Sequence, residues 1–196
     1  TNWLAALESR MAENAVAIAA SRLETVSRLN HAIELNSPNF PKAILTVLGA
    51  VETDIATMPA LQVEENLKDR FARARLVDRD TGRTSEGTHL SDFTVYHREK
   101  KMPAQACSTG EQKALLLSIT LAAAQARREW FGIAPVLLLD EVVAHLDNIR
   151  RGALAEAIHH LGAQAFMTGT DTALFQDFSS TVRFLATQDF LTATRA

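Results

Sequence analysis

The sequence predicts an α/β protein whose parallel sheet is covered by helices. Segments typical of strands and of helices alternate between residues 110 and 187, and alternation at this spacing is typical of a parallel sheet with helices on its faces. The apolar run 135–139 has the length of a buried strand, and two adjacent carboxylates follow it. Apolar residues make up 47% of the chain, as in folded globular proteins.

The first 36 residues predict one long helix, because apolar residues recur three or four positions apart and neither Pro nor Gly intervenes. At about 1.5 Å per residue this helix would be about 50 Å long, and Pro38 and Pro41 would end it. A helix of this length needs a partner for its apolar stripe, and we expect that partner upstream of Thr1. The residues of the stripe include Leu4, Leu7, Met11, Ala15 and Ile18.

The rest of the chain predicts shorter elements in alternation, from period-two patterns for strands and 3.6-residue patterns for helices. The predicted strands are 42–48, 92–98, 102–106, 135–139, 164–168 and 182–187. The predicted helices are 60–76, 110–130, 148–161 and 172–178. The second and third strands form a small hairpin after a loop at 78–89. We expect two domains, an arm helix at 1–37 within a helical subdomain and a head domain at 38–196.

Charge and composition limit the classes of function. The net charge is -3, from 20 basic and 23 acidic residues, so a nucleic-acid surface would be a local patch. The longest nearly apolar run, 114–126, is too short for a membrane span. The chain shows no signal-peptide pattern and has a single cysteine, Cys107. These features favour a reducing, cytoplasmic setting.

Asp140 and Glu141 stand where the apolar run 135–139 ends. Ligands of open α/β sheets bind beyond the carboxyl ends of the strands. An acidic pair there suits Mg-nucleotide chemistry, in which the first carboxylate holds Mg²⁺ through water and the second orients and polarises the attacking water. For these residues alone, an acid that caps the next helix is an equally good interpretation.

Residues 107–119, CSTGEQKALLLSI, begin an apolar helix with the pattern S-x-G-x-Q. One interpretation needs no ligand, since Ser108 as N-cap and Glu111 three residues later make a capping box. The other places Ser108 and the backbone N–H of Gly110 against a phosphate at the helix N-terminus. The order of segments favours the phosphate-binding interpretation. After this helix come a strand that ends in DE, the segment AHLD, and a strand that ends in TGTD.

The series STGEQ, LLLDE and AHLD resembles the signature motif, Walker B and D-loop of ABC-type ATPase heads. More narrowly, LLLDEVVAHLDNIRRGAL, QAFMTGTD and EGTHLSDFTV resemble the RecF family of bacterial recombination mediators, over about residues 40–183. The resemblance implies an ABC-type head that uses ATP and Mg²⁺. It implies a cytoplasmic DNA-binding protein that dimerises with ATP at gapped DNA or a single-strand/double-strand junction, works with RecR and helps RecA to load.

The resemblance also implies roles for individual residues. Glu141 would be the catalytic carboxylate, and Asp140 would hold Mg²⁺ through water. The signature residues that would reach the partner subunit's ATP are Ser108, Gly110, Glu111 and Gln112. The residues of the D-loop and of the switch region are His145, Asp147, Thr168 and Thr170. Transporter ATPases carry a switch histidine where this chain has Thr168 and Gly169, which argues against a transporter.

The pattern G-x-x-x-x-G-K-[ST] is absent, because no glycine precedes a lysine. In an ABC-type head that phosphate-binding loop precedes the arm. We therefore expect the chain to be the C-terminal half of a longer protein, whose upstream half supplies the loop. The complete protein would be a slow Mg-dependent ATPase, and this chain alone would be inactive.

Basic residues in the predicted helix and hairpin are candidate DNA contacts, although such runs are more often a solvated face. The candidates are Arg70, Arg73, Lys100 and Lys101. Two other functions stay open. A condensin-type or other ABC-head repair ATPase ranks lower, because the arm is short and has no long heptad tract. A non-catalytic adaptor with this fold ranks lower too, because Asp140 and Glu141 are intact.

Overall fold

The computed structural model describes residues 2–178 and 182–186. The helices in these ranges are α1 (Asn2–Leu35), α2 (Ala50–Thr57), α3 (Ala60–Thr81), α4 (Thr109–Phe131) and α5 (Asn148–Leu161). The strands are β1 (Ala43–Leu48), β2 (Asp92–His97), β3 (Met102–Pro103), β4 (Leu137–Leu139) and β5 (Ala165–Met167). Short 3-10 turns lie at Thr88–Leu90, Ala104–Ala106, Val142–His145 and Thr172–Phe175.

The strands form two sheets. β4 and β5 pair in parallel, with Leu138 opposite Phe166, and α5 connects them, as parallel pairing requires. This pair confirms the predicted parallel sheet of an α/β fold. β1, β2 and β3 form a separate antiparallel sheet with β2 in the centre, so the first predicted strand adds to the hairpin and not to the parallel sheet.

Three apolar clusters build the core, and α1 and α4 each contribute to two of them. The first half of α1 packs on α2 and α3 around Val63, Leu67 and Phe71. Its second half packs on β1 and on one face of α4, around Ile33 and Leu115. The other face of α4 covers β4, β5 and α5. The helix with the signature pattern therefore lies between the arm and the parallel sheet.

The buried face of α1 differs from the predicted stripe. The buried residues of its first half are Glu8, Ala12, Ala15 and Ala19. Leu4, Leu7 and Ile18 stay exposed, because α3 packs on the face with the small alanine side chains. A bidentate ion pair joins Glu8 to Arg75 of α3, and this arginine lowers the pKa of the Glu8 carboxyl. α2 and α3 therefore cover the alanine face of the arm, and the upstream partner expected for the apolar stripe stays a prediction, since Leu4, Leu7 and Ile18 are exposed.

Most predicted elements are present with small changes at their ends, and a few differ. Sequence analysis missed α2, whose eight residues are too few for a clear helical period. α3 continues to Thr81, into the predicted loop. The predicted helix 172–178 is a 3-10 turn. Of the predicted strand 182–187, residues 182–186 have no regular structure, and residue 187 lies outside the described residues.

No helix in the described ranges combines the length and apolar character that a membrane crossing requires.

Candidate nucleotide site

Asp140 and Glu141 follow β4 directly, and Thr168 follows the adjacent strand β5. Because the strands are parallel, all three residues lie at the same edge of the sheet. The Thr168 hydroxyl donates to Asp140 Oδ1 at 2.5 Å and accepts the backbone N–H of Glu141 at 2.9 Å. The backbone N–H of Thr168 donates to Leu139 O at 3.1 Å. One threonine predicted for the switch region thus bonds to both predicted Walker B residues.

Glu141 has a left-handed backbone, with φ 50° and ψ 18°. Non-glycine residues adopt this conformation rarely, and such residues cluster at functional sites. The side chains of Asp140 and Glu141 are exposed. Within the described part of the chain, the Glu141 carboxylate has no hydrogen-bond or ion-pair partner, and Asp140 keeps one oxygen free.

This edge of the sheet fits a Mg²⁺ ion that reaches its ligands through water. Mg²⁺ prefers oxygen ligands, and it binds proteins through one or two carboxylates while keeping several waters. Asp140 offers such a carboxylate in an exposed position, held in place by Thr168. The described residues contain no cluster of three or more His, Cys, Asp or Glu side chains that could bind a metal directly.

The predicted D-loop residues His145 and Asp147 lie in the 3-10 turn Val142–His145 and at the start of α5. Val143 and Leu146 are buried and fix the turn on the core. Asp147 caps α5, since its carboxylate accepts the backbone N–H of Arg150 at 2.8 Å. His145 is exposed, and the structure assigns it no contact. Thr170 is also exposed and does not join the Thr168 hydrogen bonds.

The start of α4 forms the predicted capping box, with Ser108 as N-cap and Glu111 at the third helical position. Glu111 Oε2 accepts the backbone N–H of Ser108 at 2.9 Å. Its other oxygen pairs with Lys100 of the β2–β3 turn. These contacts, Lys100 first, lower the pKa of the Glu111 carboxyl to about 2.

Gln112 and Gly110 differ in what they can contribute. The Gln112 side-chain amide donates to the carbonyls of Ala104 and Cys107, at 3.0 and 3.2 Å, so it holds the loop before the helix. A Cβ on Gly110 would meet no atom within 4 Å. The first turn of α4 is therefore open beside Gly110 and tied down beside Gln112.

The described hydrogen bonds and ion pairs do not connect the start of α4 with the ends of β4 and β5. Ser108 bonds to Glu111, which contacts Lys100 of the β2–β3 turn, whereas Asp140 and Glu141 contact Thr168. The structure thus brings together the predicted Walker B and switch residues. It leaves the predicted signature residues as a separate group.

The candidate DNA contacts have different surroundings. The Arg70 guanidinium bonds to Asp54 at 3.1 Å and pairs with Glu86, which is a structural arrangement. Arg73 is exposed and lies 3.8 Å from Asp69. Lys100 pairs with Glu111, and Lys101 is exposed. Sequence reasoning missed the Lys100 contact, because nothing in the local pattern relates a turn residue to a helix eleven positions away.

Comparisons with known proteins identify relatives along nearly the whole chain, although no family model matches it. The DNA replication and repair protein RecF of Mesorhizobium japonicum is 48% identical over 185 residues, which are 93% of this chain and 49% of that protein. RecF of Brucella abortus is 47% identical over 93% of this chain and 48% of its own length. RecF of Rhizobium meliloti is 43% identical over 94% of this chain and 50% of its own length.

The chain resembles the C-terminal half of RecF. It spans about half the length of the curated relatives that it matches. A solved structure described as the recombination mediator protein RecF with ATP in the RecFOR pathway superposes with a TM-score of 0.71. That match covers 87% of this chain and 45% of the RecF chain, at 23% identity. The shared fold confirms the ABC-type head of RecF as the fold class.

Proposed function

We propose that this chain is the part of a RecF-like DNA-repair ATPase that carries the signature motif, Walker B and D-loop. One observation carries the proposal. Asp140 and Glu141 follow strand β4, and Thr168, which follows the adjacent parallel strand β5, bonds to the Asp140 carboxylate and to the Glu141 backbone N–H. A carboxylate that only caps the next helix would not explain this arrangement, because Asp147 is the cap of α5.

In the proposed mechanism, each residue at the sheet edge has one task. Thr168 orients Asp140, which holds the water shell of Mg²⁺. When bound there, Mg²⁺ would offset the negative charge of the nucleotide phosphates. Glu141 orients the attacking water and accepts its proton. The left-handed backbone of Glu141 directs its carboxylate to solvent beside the strand end, where a nucleotide would bind.

The signature residues would act across a dimer. The Ser108 side chain takes part in the capping box and donates a hydrogen bond to the Glu111 carboxylate, so the hydroxyl would have to turn away from Glu111 to donate to a phosphate oxygen. A helix N-terminus favours an anion through its free N–H groups and its dipole. The capping-box and phosphate-binding interpretations of Ser108 would therefore both hold, in different nucleotide states of the protein.

We propose DNA, RecR and RecA as partners because of the similarity to RecF proteins. The curated relatives are DNA replication and repair proteins by name, and the similar solved chain is a recombination mediator of the RecFOR pathway. We propose that ATP-bound dimers form at gapped DNA or at a single-strand/double-strand junction. There they would act with RecR so that RecA can load.

The test uses this chain joined to the half of RecF that it does not span, which we call the complete protein. Glu141→Gln should keep ATP binding, slow hydrolysis by roughly 10²–10⁴ and accumulate the ATP-bound dimer. Steady-state ATPase rates and sedimentation with ATP measure both effects. Glu156→Gln, which changes an exposed carboxylate of α5, is the matched control. Normal turnover in Glu141→Gln would remove Glu141 from the mechanism.

The 196 residues alone should neither hydrolyse ATP nor bind it tightly. Most affinity for a nucleotide comes from backbone N–H groups and a lysine around the phosphates, and this sequence lacks that pattern. Isothermal titration of the chain with Mg-ATP measures this directly. Micromolar binding by the chain alone would contradict the proposal that the upstream half supplies the phosphate-binding loop, since it would need a phosphate site of another kind.

Ser108→Arg separates the dimer role from a purely structural one. In the complete protein the variant should bind ATP as a monomer with nearly wild-type affinity and lose ATP-induced dimerisation. If Ser108 only caps the helix, the variant should lose about 1 kcal/mol of stability and still dimerise. Thermal melts and light scattering on one preparation distinguish these outcomes.

A further inference from the structure

The turn between β2 and β3 is bonded to two other elements of the fold. On one side, Arg98 Nη1 donates to Glu34 Oε2 near the end of α1, at 2.8 Å. On the other side, Lys100 pairs with Glu111 in the first turn of α4. Glu99, between them, accepts the backbone N–H of Lys42 at 3.1 Å. The turn therefore connects the end of the arm helix to the start of the helix with the signature pattern.

Lys100 controls how the Glu111 carboxylate is placed. One oxygen of this carboxylate contacts Lys100 and the other accepts the Ser108 N–H. The lysine thereby selects the side-chain conformation that closes the capping box. The capping box uses the backbone N–H groups of Ser108 and Glu111. Of the first four N–H groups at this end of the helix, those of Thr109 and Gly110 are then left without an intrahelical acceptor.

Lys100 also changes the charge that an arriving phosphate meets. A carboxylate in the first turn is favourable for the helix itself, but it repels a second anion that binds at the same end. In this structure the ammonium group of Lys100 lies directly against Glu111 and offsets its charge. The first turn of α4 then presents its free N–H groups to an anion, and no net negative charge lies beside those groups.

We propose that Lys100 is a positioning residue for the signature motif, which holds Glu111 in the capping box and offsets its charge so that the start of α4 accepts a nucleotide phosphate. This inference rests on the proposed function, in which that phosphate belongs to the partner subunit's ATP. Lys100 acts through Glu111 and does not itself contact the nucleotide.

The low pKa of Glu111, about 2, agrees with this geometry, since Lys100 is its largest cause. Carbon NMR of the Glu111 carboxyl in the 196-residue chain should show this pKa rising toward its ordinary value in Lys100→Met. Lys100→Arg should keep the pKa low, because the positive charge is retained. An unchanged pKa in Lys100→Met would show that the pair does not form and would overturn the inference.

The decisive measurement is ATP-induced dimerisation of the complete protein, without DNA, by sedimentation. Lys100→Met should weaken the dimer about tenfold, a loss at the upper end of charge effects at helix termini, and Lys100→Arg should restore it. ATP binding to the monomer should stay unchanged. The control variant Lys113→Met removes an exposed lysine from α4 and should dimerise as wild type does. Melting temperatures show whether either variant perturbs the fold.

The outcomes separate this inference from the proposed function. If wild type dimerises with ATP and Lys100→Met dimerises equally well, Lys100 has no positioning role and the proposed function stands. If Lys100→Met and Lys113→Met weaken the dimer equally, net charge explains the effect and the inference is overturned. If wild type does not dimerise with ATP, the proposed function and this inference both fall.

Discussion

Glu52 provides a stringent test of how α2 is held on the arm. Its side chain is 1% exposed, although it carries a carboxylate. Ser91 Oγ donates to Glu52 Oε2 at 2.8 Å, and Arg22 of α1 lies 3.3 Å from Glu52 Oε1. Arg22 also donates to the Thr88 carbonyl at 2.6 Å. One buried carboxylate therefore joins α1, α2 and the 3-10 turn that precedes β2.

Glu52→Gln removes the charge and keeps the shape. Breaking a fully buried ion pair costs about 3–5 kcal/mol, but Arg22 is 42% exposed and can be rehydrated. The Gln oxygen can still accept the hydrogen bond from Ser91. We therefore expect a loss of about 2 kcal/mol, below the fully buried case. For a chain of this length the melting temperature would fall by about 4–8 °C.

Thermal and urea melts of the 196-residue chain, followed by circular dichroism, measure this change. Glu13→Gln is the matched control, since its pair with Arg10 is exposed on α1, with side chains 56% and 77% accessible. Such surface pairs contribute little, and the control should melt as wild type does. If Glu52→Gln melts within error of Glu13→Gln, the Glu52 contacts do not hold α2 on the arm.

Four further predictions concern individual contacts. Gly49→Ala should be strongly destabilising, because a Cβ would lie 2.1 Å from Glu52 Oε2 and 2.4 Å from Ser91 Oγ. Gly152→Ala, where a Cβ meets nothing within 4 Å in α5, should instead stabilise by about 0.5–1 kcal/mol, and urea melts compare the two. Asp147→Ala should lower the free energy of unfolding by about 1 kcal/mol, because α5 loses its cap, and Asp147→Ser should retain most of that stability. Equal melting temperatures for the two variants would contradict the capping role of Asp147. The pKa of Glu111 is lower in the folded chain, so its contribution to stability is complete above about pH 4.5 and is lost as the pH falls toward 2. Acid unfolding of Glu111→Gln should lack this component, and an unchanged acid profile would contradict the pair.

Local patterns predicted the features that depend on neighbouring residues in the chain. The arm helix and α5 have nearly their predicted bounds, because periodicity and the Pro and Gly residues at their ends are local signals. The capping box of Ser108 and Glu111 formed as predicted, since both residues lie within one helical turn. The carboxylates after β4 stand at the sheet edge because a strand's direction fixes where its last residues point.

Contacts between distant segments were beyond the reach of such patterns. The alternating pattern of residues 42–48 predicts a strand, but whether it pairs in the parallel or the antiparallel sheet depends on which edge is free. The apolar stripe of α1 predicts a face that needs a partner, but it does not show which face α3 covers. In the first half of α1, α3 packs on the neighbouring alanine face, of which only Ala15 belongs to the stripe.

The sequence by itself determined the class of the protein and the residue types at its candidate site. The order of the signature pattern, the acidic strand end and the D-loop is a property of the chain, and it needs no coordinates. Only the tertiary structure decided that Thr168 joins Asp140 to Glu141, and that Lys100 compensates Glu111. The physical reason is that hydrogen bonds and ion pairs act over a few ångströms. Residues 28 or 11 positions apart reach that distance only when sheets, helices and turns have packed together.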